Sequence, residues 1–128
     1  MSSFPTDLRY TPDHEWLRAQ GQSWRVGITQ FAVDSLGDIT LVDLPKEGDL
    51  VTKGQRFGTV ESVKSVSDLY APVSGRVVAV NPALKDSPEL VNNEAYGKGW
   101  MIDIEPTEKA EIDELMTPDA YAAHVAAQ

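Results

Sequence analysis

The segments EWLRAQ and SWRVGI alternate bulky and polar residues on either side of GQS, the period-two pattern of two short strands joined by a turn. The period changes at TQFAVDSLG. There Thr29 is placed to cap, Phe31, Ala32, Ser35 and Leu36 share one side, and Gly37 suits a left-handed stop, so a short helix is predicted from about Gln30 to Leu36. DITLVDLP, DLVTKGQRFGTVES, SDLYAP and GRVVAVN are strand-like runs punctuated at close spacing by Gly or Pro, which favours a small barrel or sandwich over a parallel βαβ sheet. KDSPELVNN sets Ser87 as an N-cap ahead of Pro88 at the first helical position, predicting one or two helical turns. GWMIDIEP returns to an apolar strand, and TEKAEIDELM and TPDAYAAHVAAQ each open on a threonine, Thr107 and Thr117, positioned as an N-cap. In these last helices Ile112, Leu115, Met116, Tyr121 and Val125 recur at three- and four-residue spacings, enough to pack them against a β core.

Composition narrows the class. With 128 residues and 41% apolar content, one soluble domain is expected, with a single core and no room for two. Twenty acidic residues against 11 basic give a net charge of −9, which argues against nucleic acid, whose phosphates need clustered Lys and Arg, and against a membrane surface. The acidic surface keeps the chain soluble or steers it toward basic patches on partners. With no cysteine there are no disulfides, thiolate metal sites or cysteine nucleophiles, so any sulfur redox chemistry must arrive on a cofactor. The start, MSSFPTDLRYTPDHEW, has no apolar leader and no Arg-rich transit pattern, and no run reaches membrane-spanning length. A bacterial-type cytoplasm is the expectation, and a mature mitochondrial matrix protein would look the same.

Independent catalysis finds little support. There are two histidines: His124, in an Ala-rich terminal helix, reads as part of an exposed face, and His14, in DHEW, as a hydrogen-bonding residue at a strand edge. No second histidine lies at ligand spacing from His14, no Asp-x-Asp-x-Asp loop is present, and GKGW lacks the Ser or Thr and the following helix of a phosphate cradle. Lys64 stands out. On composition alone an exposed lysine is a solubility residue, but VESV before it and SVSDLY after it read as two strands that put Val63, Lys64 and Ser65 at a hairpin tip. The tip lacks the Asn-Gly or Asp-Gly pair that makes tight hairpin turns, so turn chemistry alone does not explain it. Gly48, sixteen residues before Lys64, and Gly75, eleven after it, sit beside strand-like runs and suit turns that need positive φ.

ESVKSVSDLYAPVSG resembles the lipoylation motif of the H proteins of the glycine cleavage system, lipoyl-carrying members of the biotinyl/lipoyl carrier superfamily. HEW, VGIT, LGDI, DLPKEGD, NPALKDSPELVN and GKGWMIDIEP resemble that family's segments in its order, over about residues 10 to 122; only Met1 to Leu8 and about Ala123 to Gln128 look individual. The resemblance implies lipoate attached covalently to Lys64, with Glu61 and Gly75 read by the attaching enzymes and Gly48 a structural turn. It implies a mainly β, flattened barrel-sandwich hybrid with short helices and a C-terminal helical segment: a single H-protein domain over 1–128, a lipoyl-binding core over about 23–105 and helices over about 107–127. It further implies a monomeric, non-catalytic carrier. Its arm would receive the methylamine group of glycine from the pyridoxal-phosphate glycine decarboxylase, or P protein, and pass the one-carbon unit to tetrahydrofolate on the aminomethyltransferase, or T protein. Dihydrolipoyl dehydrogenase, the L protein, would then reoxidise the arm, and the loaded arm would fold into a cleft on the carrier. Rival readings are a carrier of biotin or of a 2-oxoacid dehydrogenase, and a lipoylated or unmodified H-like protein acting as lipoyl donor or adaptor. Against the first, the lysine is flanked by Val63 and Ser65 rather than by Met, or by Asp and Ala.

Overall fold

The structure is a computed structural model and describes residues 4–127. The first hairpin forms as the alternation predicts: β2 (Glu15–Gln20) pairs antiparallel with β3 (Ser23–Ile28), Gln20 opposite Ser23 and Leu17 opposite Val26. A short β1 (Arg9–Tyr10) lies along the outer edge of β2. The chain leaves β3 into α1 (Gln30–Leu36), where Thr29 Oγ1 accepts the Ala32 N–H at 3.3 Å. Gly37, at φ 83°, ends the helix and returns its N–H to Val33 O. Cap and stop are both local chemistry, and both hold.

The remaining strands are β4 (Ile39–Asp43), β5 (Leu50–Val51), β6 (Arg56–Ser62), β7 (Val66–Tyr70), β8 (Gly75–Val80) and β9 (Ile102–Pro106). They complete two antiparallel sheets, one ordered β1-β2-β3-β9-β8-β5 and the other β4-β6-β7. The sheets face each other as a sandwich without closing into a barrel, which sharpens the expected barrel-sandwich hybrid. Between them Leu17, Val26, Val60, Leu69, Val77, Ile102 and Ile104 are all but fully buried. Each such side chain contributes about 1.5–3 kcal/mol by leaving water.

A second, aromatic cluster joins the two ends of the chain. Tyr10 and Tyr121 stack with ring centroids 4.6 Å apart, beside buried Leu8 and Trp16. The Trp16 indole N–H donates to Ala95 O at 2.8 Å, satisfying the one polar atom of a fully buried ring. Tyr121 belongs to α5 (Pro118–Ala126), capped as predicted by Thr117, whose Oγ1 accepts from Ala120 N. The helical segment expected over about 107–127 ends with this helix at Ala126. Of the predicted packing positions, Leu115 and Tyr121 are buried, while Ile112, Met116 and Val125 are half-buried against the core.

Four local expectations are corrected. Ser87 is not an N-cap: it closes α2 (Ala83–Asp86) through its N–H to Ala83 O, and its carbonyl receives Leu90 N–H as α3 (Leu90–Asn93) begins. Thr107 does not cap α4 (Ala110–Asp113), which starts after Lys109; its N–H is spent on Ser74 O. Gly48 has the positive φ expected of it, 94°, but Gly75 does not. Gly75 opens β8, where a Cβ would stand 2.3 Å from Glu105 O on β9, so what it needs is absence of bulk. Finally, His124 is half-buried rather than on an exposed face, with Nε2 3.1 Å from Pro12 O.

Candidate functional site

β6 and β7 form a hairpin with Glu61 opposite Val66, and the Ser62 N–H to Ser65 O bond at 2.8 Å closes it, leaving Val63 and Lys64 at the tip. Both are exposed. The missing Asn-Gly pair now has a structural answer. The common primed turns need positive φ at their central positions; among the described residues His14 is the only non-glycine with positive φ, so this tip is not of that kind. The Ser62 hydroxyl does the work instead, accepting from Lys64 N at 3.3 Å and Ser65 N at 3.2 Å.

Lys64 makes no ion pair among the described residues. Its stem lies over Gly37, where an added Cβ would come within 3.2 Å of Lys64 Cε. Acylating Nζ therefore costs no existing salt bridge.

Glu61 is half-buried on β6, three residues before the lysine. It lines a groove of about 500 Å³ with Leu41, Asp43, Thr59, Pro82 and Lys85. Lys64 and Glu61 thus share one hairpin. Gly48 and Gly75 do not join them: Gly48 N–H bonds to Val77 O and Gly75 pairs with Val51 and Pro106, both in the six-stranded sheet.

The residue that sequence reasoning passed over is Glu15. It is 1% exposed, its Oε2 accepts Tyr70 N–H at 2.9 Å, and Thr11 Oγ1 donates to Oε1 at 3.4 Å. Burial pushes its carboxyl up to about 8, against the Tyr70 and Thr11 hydrogen bonds, which pull it down. It lies in a cleft of about 240 Å³ with Thr11, Asp13 and Ala71, beside the ion pair of Lys53 and Glu114. Tyr70 ends the strand that leaves the lysine tip, so one strand, β7, connects the two. The available signal was phase: Glu15 shares a strand face with Leu17, putting a carboxyl on a core-directed position.

The histidines are structural neighbours of this loop. His14 Nδ1 and Thr29 Oγ1 each lie 2.8 Å from the Tyr121 hydroxyl, fixing α5 to the residue before Glu15. Among the described residues no group of three or more His, Cys, Asp or Glu could hold a metal ion, and no helix is long and apolar enough to cross a membrane.

Comparison with known proteins points to one family. Residues 8–128 match the family model described as glycine cleavage H-protein. A probable glycine cleavage system H protein of Haloarcula marismortui is 56% identical over 117 residues, covering 91% of this chain and 92% of its own. The glycine cleavage system H protein of Carboxydothermus hydrogenoformans is 54% identical over 121 residues, 94% of this chain and 93% of its own. In three dimensions, the crystal structure of a glycine cleavage system H protein from Mycobacterium marinum aligns with a TM-score of 0.87 at 42% identity, over 96% of this chain and 99% of that one. With a family model spanning nearly the whole sequence and relatives above half identity over most of it, the chain belongs to the glycine cleavage H-protein family.

Proposed function

We propose that this chain is a lipoyl carrier of the glycine cleavage system, with lipoate joined by an amide to Lys64 Nζ. The observation that carries the placement is the tip itself: an exposed lysine, without an ion pair among the described residues, at the end of the β6–β7 hairpin. The amine is accessible, and its charge has no structural use to lose when the amide forms. Bound there, the dithiolane would supply group-carrying and redox chemistry, with which this chain would carry the aminomethyl group of glycine from the P protein to the T protein and depend on the L protein for reoxidation.

The chain's own residues supply position and shelter. Tethering at Lys64 turns each transfer after the first into a search within one complex, raising effective concentration without any new contact. The absence of cysteine keeps protein thiolates away from the disulfide, where they would divert it by exchange. Glu61 is the acidic group nearest in sequence on the tip's own strand, placed for an attaching enzyme to read. For Gly75 the close approach of Glu105 O accounts for glycine by itself.

Glu15 is the group we assign to the cationic end of a loaded arm. A buried carboxyl whose proton is held up to about 8 gains most from a nearby ammonium, which favours its ionised form. The cleft around it would also hold water off the aminomethyl group.

Reconstituting glycine cleavage with the P, T and L proteins tests the proposal. Wild-type chain loaded by a lipoate ligase should support turnover, and Lys64→Arg, which keeps the charge but not an acylable amine, should support none. Turnover by Lys64→Arg would overturn it.

A further inference from the structure

The lysine tip is held from outside its own hairpin. Val63, the first tip residue, donates its N–H to Asp38 O at 3.1 Å. Asp38 stands in the corner between α1 and β4, and a single side chain grips the residues on both sides of it. Asn92, on α3, donates from Nδ2 to Gly37 O at 2.9 Å and accepts Ile39 N–H on Oδ1 at 2.9 Å. A primary amide offers a donor and an acceptor in one plane, so it satisfies two backbone groups of the corner as a neighbouring strand would.

The β4–β6 ladder does not do this alone, because its register is irregular between Ile39 and Leu41, where the corner runs into the sheet. Nor does the hairpin fix its own end firmly. Beyond the Ser62–Ser65 pair, its internal ties to the tip are the Ser62 hydroxyl contacts at 3.2–3.3 Å, longer than the usual N–H···O distance. The same corner is the bed of the lysine stem, since Gly37 leaves open the space that a Cβ would take 3.2 Å from Cε and 3.9 Å from Nζ. Asn92, the Gly37–Ile39 corner, the Val63 amide and the Lys64 stem are thus one connected path.

We propose that Asn92 is a positioning residue for acylation of Lys64: by holding the Gly37–Ile39 corner it fixes Val63, and with it the point from which the lysine amine is presented to the attaching enzyme. This rests on the reading of Lys64 as the attachment point. In that reaction the ammonium loses a proton, Nζ bonds to the carbonyl carbon of an activated lipoyl group, an acyl adenylate or thioester, and the adenylate or thiol leaves with a second proton from nitrogen. No electrons are exchanged. A tip already held in place gives up less conformational freedom when an enzyme docks on it, and this is the advantage Asn92 supplies.

The test compares wild type, Asn92→Ala and Asn92→Asp in full-length carrier. It measures lipoylation by a lipoate ligase with lipoate and ATP, amide hydrogen exchange at Val63, and non-enzymatic acetylation of Lys64 by an active ester. Asn92→Ala should lower kcat/KM for the carrier at least fivefold, mainly through KM, and speed Val63 exchange about tenfold. Exchange at Val26 and Ile104 should stay at the wild-type rate, as should ester acetylation. Asn92→Asp keeps the acceptor for Ile39 N–H but sets a carboxylate oxygen against Gly37 O where the amide donated; it should lose at least as much as Asn92→Ala and serves if that variant does not fold. Enzymatic acylation within twofold of wild type in the folded variants overturns the proposal, and so does an equal loss in the ester reaction, which would place the effect in the amine itself. Failure of the ligase to modify wild type at Lys64 would instead defeat the attachment reading.

Discussion

Replacing Glu15 with glutamine should make this protein more stable, and by an amount that grows with pH. The carboxyl is raised from an ordinary 4.5 to about 8 in the folded chain, by burial above all. Between those two values the folded state holds a proton that the unfolded state has released, so stability falls as pH rises. The slope is about 1.4 kcal/mol per pH unit, and over the window the total loss is on the order of 5 kcal/mol. Below the unfolded value both states are protonated and the contribution is complete; above about 8 it is gone. Glutamine has the same shape, keeps a carbonyl oxygen for Tyr70 N–H, can present its amide to Thr11 Oγ1, and does not titrate. Urea unfolding of wild type and Glu15→Gln at pH 5, 6, 7 and 8 should therefore show curves that nearly coincide at pH 5 and separate progressively, the variant gaining several kcal/mol by pH 8. A difference that stays constant across that range would mean that Glu15 ionises like an exposed carboxylate, and the role assigned to it with a cationic arm end would lose its basis.

Three further substitutions test the packing that surrounds the site. Arg25 forks onto Asp103 at 3.0 and 3.2 Å and lies 3.9 Å over the Trp100 ring, so Arg25→Ala, which strands a buried carboxylate, should cost about 3–5 kcal/mol in chemical denaturation; a cost below 1 kcal/mol would show that the pair is solvated. Tyr121→Phe removes the hydroxyl that meets both His14 and Thr29, and should cost about 1–3 kcal/mol, with faster amide exchange in α5; unchanged exchange would mean that stacking on Tyr10 alone holds the helix. Gly75→Ala drives a Cβ against a backbone oxygen that cannot swing away, and a melting temperature equal to wild type would refute the close approach of β8 and β9.

What was legible in the sequence was whatever its own neighbourhood decides. The α1 cap and stop, Thr29 and Gly37, depend on bonds within the helix and were readable, as was the β6–β7 hairpin with Lys64 at its tip. Ser87 and Thr107 carry the same local signal as Thr29, but there the backbone had other partners, Ala83 O for one and Ser74 O for the other. Gly75 shows a different limit. A glycine required for φ and a glycine required for space look alike in one sequence, and only the β9 carbonyl beside it separates them. Glu15 and His124 depend on contacts across the chain: Glu15 on Tyr70 N and His124 on Pro12 O, so no window around either residue contains its partner. The same holds for Asn92, whose role comes from a corner on the far side of the lysine motif.

The most direct test of the central claim is peptide mass spectrometry of the protein isolated from a lipoate-replete cell. A lipoyl amide on Lys64, and on no other lysine, is the predicted result. An unmodified Lys64, or lipoate carried by Lys46, Lys53, Lys85, Lys98 or Lys109 in its place, would contradict it.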